Sequence, residues 1–265
     1  MFLKHLIFVT AFILCFNFIS YSQQRIKNFY FSNYKKNGTK GWEIKGEEAV
    51  IFGDYVDIRK MEANYYLEED TIFIESKKAK LDKNSLDVFL KDDVLVKNKK
   101  EEIELITDSL NWRRRQNKIQ TADFVKAQKE DMQIEAKGLV ADTQFKKVNF
   151  KEDVKVKFSQ KEDAITISCQ GPLEIEHDEQ KAVFYNKVIV ESKQGKLFCD
   201  KSTIFFDTEN NRIKKIISEG NVKIIREENV IFAKKATYLG EENKLVLEGN
   251  PRVIYFPKEN ETFGN

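Results

Sequence analysis

The residue types that most often carry out chemistry are scarce in this sequence, and they are not grouped. Its two histidines are His5 and His177, and His177 lies in a polar turn with no nucleophile pattern beside it. The three cysteines form no cluster with histidine at the spacing of a zinc site. We therefore expect no catalytic residue, no metal and no cofactor, and we predict that the protein is not an enzyme.

Charged groups are abundant, but their signs balance. The chain contains 45 lysine and arginine residues against 43 aspartate and glutamate residues, and its formal net charge is +2. Such a balance gives no whole-protein field that could hold a polyanion. Nucleic acid is therefore not an expected partner.

The chain is built from a repeated unit of about 30 residues. Two series of small or apolar residues recur at intervals of 29 to 34 residues along most of the sequence. The first series is Ala49, Ala79, Leu110, Leu139, Pro172, Ser202 and Ala236; the second is Val94, Val125, Val154, Val188, Val222 and Pro251. A fixed period of this size indicates one supersecondary unit stacked many times.

Within each unit, apolar residues alternate with polar ones. A period of two residues predicts half-buried β-strands, and no stretch after the N-terminal segment shows a sustained helical period. One parity supplies an apolar inner face: Ile74, Val94, Val96, Ile134, Val154, Val156, Val188, Val190, Val222, Ile224 and Val253. The pattern alone leaves open whether these side chains only pack a core or also contact a ligand.

The N-terminal segment predicts export. An apolar run from Leu6 to Ile19 follows Lys4, and small residues precede Gln23. Residues 1–22 are therefore either a signal peptide cleaved after Ser22 or a retained membrane anchor. With either alternative the remainder of the chain is exported.

Motifs near both ends resemble a known family of export proteins. The stretch from Gly41 to Ala49, which follows the aromatic segment 29–34, resembles the opening of LptC-type proteins of the lipopolysaccharide export machine. The Gly-Asn-Val step at 220–222 and the Gly-Asn-Pro step at 249–251 are similar to the LptA/OstA repeat. The resemblance is LptC-like over residues 25–158 and OstA-like over residues 159–256, and a polar tail follows at 257–265.

The resemblance implies a fold, a cargo and a location. The fold is all-β: an elongated, open, V-shaped β-jellyroll. Its apolar interior would shelter the acyl chains of lipopolysaccharide in the periplasm, between the inner and outer membranes. The eleven inward residues would then line a lipid-binding groove. The N-terminal segment could hold the protein at the inner membrane.

The implied partners are lipopolysaccharide, the inner-membrane Lpt ABC transporter and other Lpt jellyroll proteins. The first and last strands of an open array expose unpaired backbone groups, which can accept a strand of another chain. We expect such pairing near Phe29, Phe31, Ile254 and Phe256, including head-to-tail pairing with a second copy. The alternative function is a structural β-solenoid, a surface or filament protein without lipid cargo.

The two cysteines of the exported chain test the topology. Cys169 and Cys199 occupy one register in consecutive units. If strands of like register adjoin, the two could form a disulfide; if each unit contributes two antiparallel strands, another strand separates them. The antiparallel arrangement implied by the resemblance predicts two free thiols.

Overall fold

A computed structural model describes residues 23–68, 70–100, 102–159, 164–207 and 212–256, and 78% of them lie in β-strands. The expected signal or anchor (1–22) and the polar tail (257–265) fall outside the described residues. Within the described ranges, no helix has the length and apolar character needed to cross a membrane.

Seventeen strands follow one another along the chain, with a single 3₁₀ turn at Arg114–Gln116 in the described part. Their bounds are β1 (Gln24–Tyr34), β2 (Lys40–Phe52), β3 (Tyr55–Tyr66), β4 (Thr71–Asp82), β5 (Val88–Asn98), β6 (Ile103–Arg113), β7 (Lys118–Lys129), β8 (Met132–Asp142), β9 (Lys147–Ser159), β10 (Ala164–Cys169), β11 (Leu173–Glu176), β12 (Lys181–Ser192), β13 (Gly195–Asp207), β14 (Arg212–Arg226), β15 (Asn229–Leu239), β16 (Lys244–Glu248) and β17 (Arg252–Ile254).

These strands form one antiparallel meander. Each strand from β1 to β9 pairs with the next one along the chain. Strands β10 and β11 share the position between β9 and β12, and β16 and β17 share the position beside β15. The seventeen strands therefore fill fifteen positions. Successive members of each predicted residue series lie two strand positions apart, with one strand between them.

A line of kinks crosses the sheet at mid-strand. Strands β1, β3, β5, β9, β12 and β14 and the step between β16 and β17 carry residues with positive φ at this line: Asn28, Lys60, Asp92, Asp93, Asp153, Asn186, Lys187, Gly220, Asn221, Gly249 and Asn250. A β-bulge bends its strand and increases the local twist. Because the bulges are aligned, they fold the sheet in two. We call the part in register with residues 29–34 half-sheet A, and the part in register with residues 24–27 half-sheet B.

The apolar faces of the two half-sheets face each other. Tyr65 of half-sheet A and Trp112 of half-sheet B meet edge to face, with ring centroids 5.4 Å apart. Phe158 and Phe206 make a second contact across the interior, at 6.3 Å. The outer faces carry cross-strand ion pairs, such as the one between Lys97 and Glu104 at 2.8 Å. The expected all-β, V-shaped jellyroll is confirmed.

The two predicted residue series lie on either side of the kink line. Members of the first series on β2, β4, β6, β8, β13 and β15 belong to half-sheet B, and the valines of the second series follow directly after the bulges in half-sheet A. Ala49, Leu139, Val94 and Val188 have no exposed surface at all. The vertex of the V is therefore closely packed.

The cysteines lie on opposite sides of one strand. Cys169 on β10 and Cys199 on β13 both neighbour β12, and both are free thiols. Burial raises the pKa of the Cys199 thiol to about 11. The antiparallel prediction of an intervening strand is correct, so this pair forms no bridge.

A glycine at a bulge offers a test of the kink line. Gly220 has a φ of +77°, and a Cβ there would lie 2.4 Å from Oδ2 of Asp200. We expect Gly220→Ala to lose about 1 to 2 kcal/mol of unfolding free energy from the left-handed backbone alone, and more because Asp200 must move. Gly38→Ala is the matched control, since Gly38 has a φ of +82° and no atom near its Cβ position. Equal losses in urea titrations would show that the Asp200 contact is unimportant.

A carboxylate on the outer face of half-sheet A connects the first edge strand to its neighbours by hydrogen bonds. Glu43 of β2 accepts hydrogen bonds from Tyr30 of β1 at 2.8 Å and Lys40 at 2.7 Å. Asn64 and Tyr66 of β3 donate to its other oxygen at 3.0 and 2.7 Å. Lys40 first, and then Tyr66, Tyr30 and Asn64, lower the pKa of the Glu43 carboxyl to about 2. One side chain thus joins three strands.

This cluster predicts a pH dependence. Because the pKa of Glu43 is lower in the folded chain than its ordinary value of 4.5, its contribution to stability is complete above pH 4.5 and is lost as the pH falls toward 2. The difference in urea midpoint between the wild type and Glu43→Gln should therefore shrink over this window. Glu104→Gln, which removes one exposed ion pair, is the matched control. A difference that stays constant with pH would contradict the prediction.

Candidate functional site

A cavity of about 430 Å³ lies between the half-sheets at β8 to β14. This volume falls in the range of about 300 to 1,000 Å³ that is usual for small-ligand sites. Half-sheet A contributes Met132, Ile134, Val156 and Phe158, and half-sheet B contributes Leu173, Ile175, Ala182, Phe184, Phe206 and Ile213. The walls are thus apolar on both sides.

Polar side chains surround the mouth of this cavity: Lys129, Glu130, Asp131, Glu176, His177, Gln180, Lys181 and Asp207. The ammonium group of Lys181 lies between Glu179 at 2.5 Å and Glu176 at 3.3 Å. Its hydrogen bond to Glu179 is the main cause that raises the pKa of Lys181. An apolar interior with a charged rim suits an amphiphile whose chain enters and whose polar part remains outside.

One row of paired residues crosses half-sheet A from the first strand position to the last. Each member lies directly opposite the next, and all are apolar: Phe31, Ile44, Ala63, Ile74, Val96, Leu105, Ala127, Ile134, Val156, Ile167, Val190, Leu197, Ile224, Ile231 and Val253. We call this set the inner row. The inner row therefore gives half-sheet A a continuous apolar line along its whole length.

The eleven residues proposed from the alternation fall into two sets. Seven belong to the inner row: Ile74, Val96, Ile134, Val156, Val190, Ile224 and Val253. The other four, Val94, Val154, Val188 and Val222, lie beside the kink line and are at most 1% exposed. A ligand could reach these four only if the half-sheets separated.

Members of the inner row differ in how they are covered. Ile134 and Val156 are buried and line the cavity. Val190 and Ile224 are half-buried, whereas Val253 on the last strand is 62% exposed. The row is therefore open to solvent at its C-terminal end.

The cavity wall on half-sheet B was not among the residues proposed from the sequence. It includes Leu173, Phe184, Phe206 and Ile213. A signal for this wall is present on β12, where Phe184 precedes the bulge with the same parity as Val188 after it. Extending each alternating series back across its bulge would have found Phe184.

The expected partner strands lie at the two edges of the sheet. Among described residues, β1 pairs only with β2, and β17 pairs only with β15. Phe31, Ile254 and Phe256 are 45 to 51% exposed. Phe29 is buried instead, because its ring packs over Gly46 on β2. The Phe29 side chain thus belongs to the core and is not available to a partner.

Part of the chain matches a known protein family. A family model described as lipopolysaccharide-assembly, LptC-related, matches residues 20–159, which is more than half of the chain. The match ends with β9, and β10 continues the same sheet by pairing with β9. The cavity wall on half-sheet B lies wholly beyond the matched residues. No curated protein matches the chain.

Proposed function

We propose that this chain, which belongs to the LptC-related family of lipopolysaccharide-assembly proteins, is a periplasmic component of the lipopolysaccharide transport bridge. Members of this family are transport components and not enzymes. The cargo would be held by its acyl chains between the two half-sheets. The observation that carries the proposal is the inner row, which is apolar at all fifteen strand positions.

The physical need for such a surface is simple. Each CH₂ group that leaves water gains about 0.8 kcal/mol, so a lipid with several acyl chains requires continuous apolar cover to cross an aqueous compartment. The inner row supplies this cover on one side, and the cavity supplies a second wall at β11 to β14. Ile134, Val156 and the other members of the row are the residues that we assign to the groove.

The cavity lies where the two proposed regions of the chain meet. We assign residues 25–158 to an LptC-like region and residues 159–256 to an OstA-like region. Met132 and Phe158 of the first region and Leu173 and Phe206 of the second contribute to one cavity. The cargo would therefore be handed along inside a single chain, without a protein-protein junction at this point.

A photoreactive side chain can test whether lipid enters the cavity. We expect benzoylphenylalanine at Phe158, expressed in a Gram-negative host, to crosslink to lipopolysaccharide. The same probe at Phe124, an exposed residue on the outer face of β7, two strand positions away, is the matched control and should give no crosslink. If the probe at Phe158 gives no crosslink and native mass spectra show no bound lipid, the structural β-solenoid is favoured.

The edge strands are the proposed contacts with the inner-membrane transporter, other Lpt jellyroll proteins or a second copy. Proline removes a backbone donor and disfavours continued pairing. We expect Ile254→Pro or Phe31→Pro to reduce copurification of such partners severalfold while the circular dichroism spectrum stays nearly unchanged. Ile254→Ala and Phe31→Ala control for the lost side chain. Undiminished assembly of the proline variants would contradict this role for the edges.

A further inference from the structure

A second groove lies on the outer face of half-sheet B, away from the cavity. It has a volume of about 480 Å³ and crosses β2 to β5. Val50, Asp57, Lys80 and Phe89 lie opposite one another in register across these four strands. The groove therefore presents a fixed mixture of apolar and charged side chains.

The aromatic side chains in and beside this groove are exposed to solvent. Phe52, Tyr55 and Phe89 are 37 to 42% exposed. The ammonium group of Lys80 lies 4.2 Å from the centroid of the Tyr55 ring. Aromatic rings with lysines above them are typical of surfaces that rest at the boundary between lipid headgroups and acyl chains.

The charged part of the groove is mainly basic. Its lining contains four cationic side chains, Arg59, Lys78, Lys80 and Lys91, against the carboxylates of Glu48 and Asp57. Arg59 is paired with Glu48, and Lys78 with Asp92. Among the described residues, neither Lys80 nor Lys91 takes part in an ion pair. These two lysines are available to an anionic surface.

The position of the groove indicates which surface that is. The apolar N-terminal segment joins the fold at the start of β1, where Gln24 lies opposite Ile51, next to Phe52. If this segment enters the membrane, the corner of half-sheet B that carries the groove is the part of the sheet nearest to the bilayer. An acidic protein would also fit the charges, but nothing in the fold places such a protein at this corner.

We propose that the outer groove around Lys80, Phe89 and Lys91 docks on an anionic membrane surface and so fixes the angle of the array to the bilayer. The aromatic rings would enter the interface while the lysines contact anionic headgroups. This contact does not depend on lipid cargo, because it uses the face opposite to the inner row. The membrane-docking proposal is therefore independent of the cargo proposal.

The test uses the full chain in vesicles, with benzoylphenylalanine at Phe89. Vesicles contain phosphatidylcholine alone or a mixture with phosphatidylglycerol. We expect crosslinking to lipid only in the anionic vesicles. The double variant Lys80→Gln/Lys91→Gln should reduce it roughly thirtyfold, since each of the two basic residues near an anionic surface contributes about 1 kcal/mol. The matched control is the probe at Phe232, which is 39% exposed and also has a lysine near its ring.

Any one of four results would overturn the proposal. Crosslinking of equal yield in neutral and anionic vesicles, or a yield unchanged in the lysine variant, would mean that tethering alone brings Phe89 near the bilayer. An equal lipid yield at Phe232 would mean that the contact is not specific to this groove. Crosslinking of Phe89 to a protein in membranes of the host would assign the groove to an acidic protein partner.

Discussion

A Val156→Asp variant is expected to lose about 3 to 5 kcal/mol of unfolding free energy, because an uncompensated buried charge is that costly. Val156 is 1% exposed and lies between Ile134 and Ile167 in the inner row. No basic side chain in the row can pair with the new carboxylate. Urea titration followed by circular dichroism measures the loss.

The adjacent residue Lys157, on the outer face, gives the control for this variant. Lys157 points away from the interior and lies opposite Gln133 and Thr166, which are uncharged. Lys157→Glu should change the unfolding free energy by no more than about 0.5 kcal/mol. If Val156→Asp and Lys157→Glu behave alike, the assignment of inner and outer faces is wrong.

A chain that ends at Ser159 is expected to keep its β-structure but to associate into dimers or larger species. This chain retains the part matched by the LptC-related family and loses β10 to β17. Strand β9 then becomes an edge, and an exposed, apolar edge is a template for pairing with another chain. Val156 and Phe158 also lose the cavity wall that faces them.

Light scattering after gel filtration measures this association. A chain that ends at Leu239 is the matched control, because β16 and β17 cover little apolar surface: Leu245, Val253 and Ile254 are already 44 to 62% exposed. The control should associate no more than the full chain does. A monomeric chain ending at Ser159 would show that β1 to β9 form an independent unit.

Alternation within strands was sufficient to identify the inner face of half-sheet A. It works because strand side chains point alternately to opposite faces, and because β5, β7, β9, β12 and β14 keep their parity across the kink line. On β9, for example, the inner residues Phe150 and Val154 are four apart, with Asp153 in the bulge between them. A search with a period of two detects both.

The return strands could not be assigned in this way. On β8, the inner residues Ala136 and Leu139 are only three apart across Gly138. The inner face therefore changes parity in mid-strand. A search for alternation with a period of two residues does not follow it across this change. From β4 to β9, a step of three on one strand is followed by a step of four on the next, and this pattern marks both half-sheets together.

The location of the cavity could not be predicted from any pattern along the chain. Phe158 and Phe206 approach each other because of the angle between the half-sheets, and alternation does not encode that angle. The burial of Phe29 has a similar cause. Its parity is that of exposed Phe31, but the residue opposite Phe29 is Gly46, which leaves room for the ring.

The meander also sets a simple relation between chain length and reach. Fifteen strand positions at a spacing of about 4.8 Å extend the inner row over about 67 Å. Each additional hairpin would lengthen it by about 10 Å, and the small residues at the vertex, such as Ala49 and Ala236, keep the cross-section unchanged. The length of the array is therefore set by its number of hairpins, and a protein of this kind can span a wider gap by duplicating one unit.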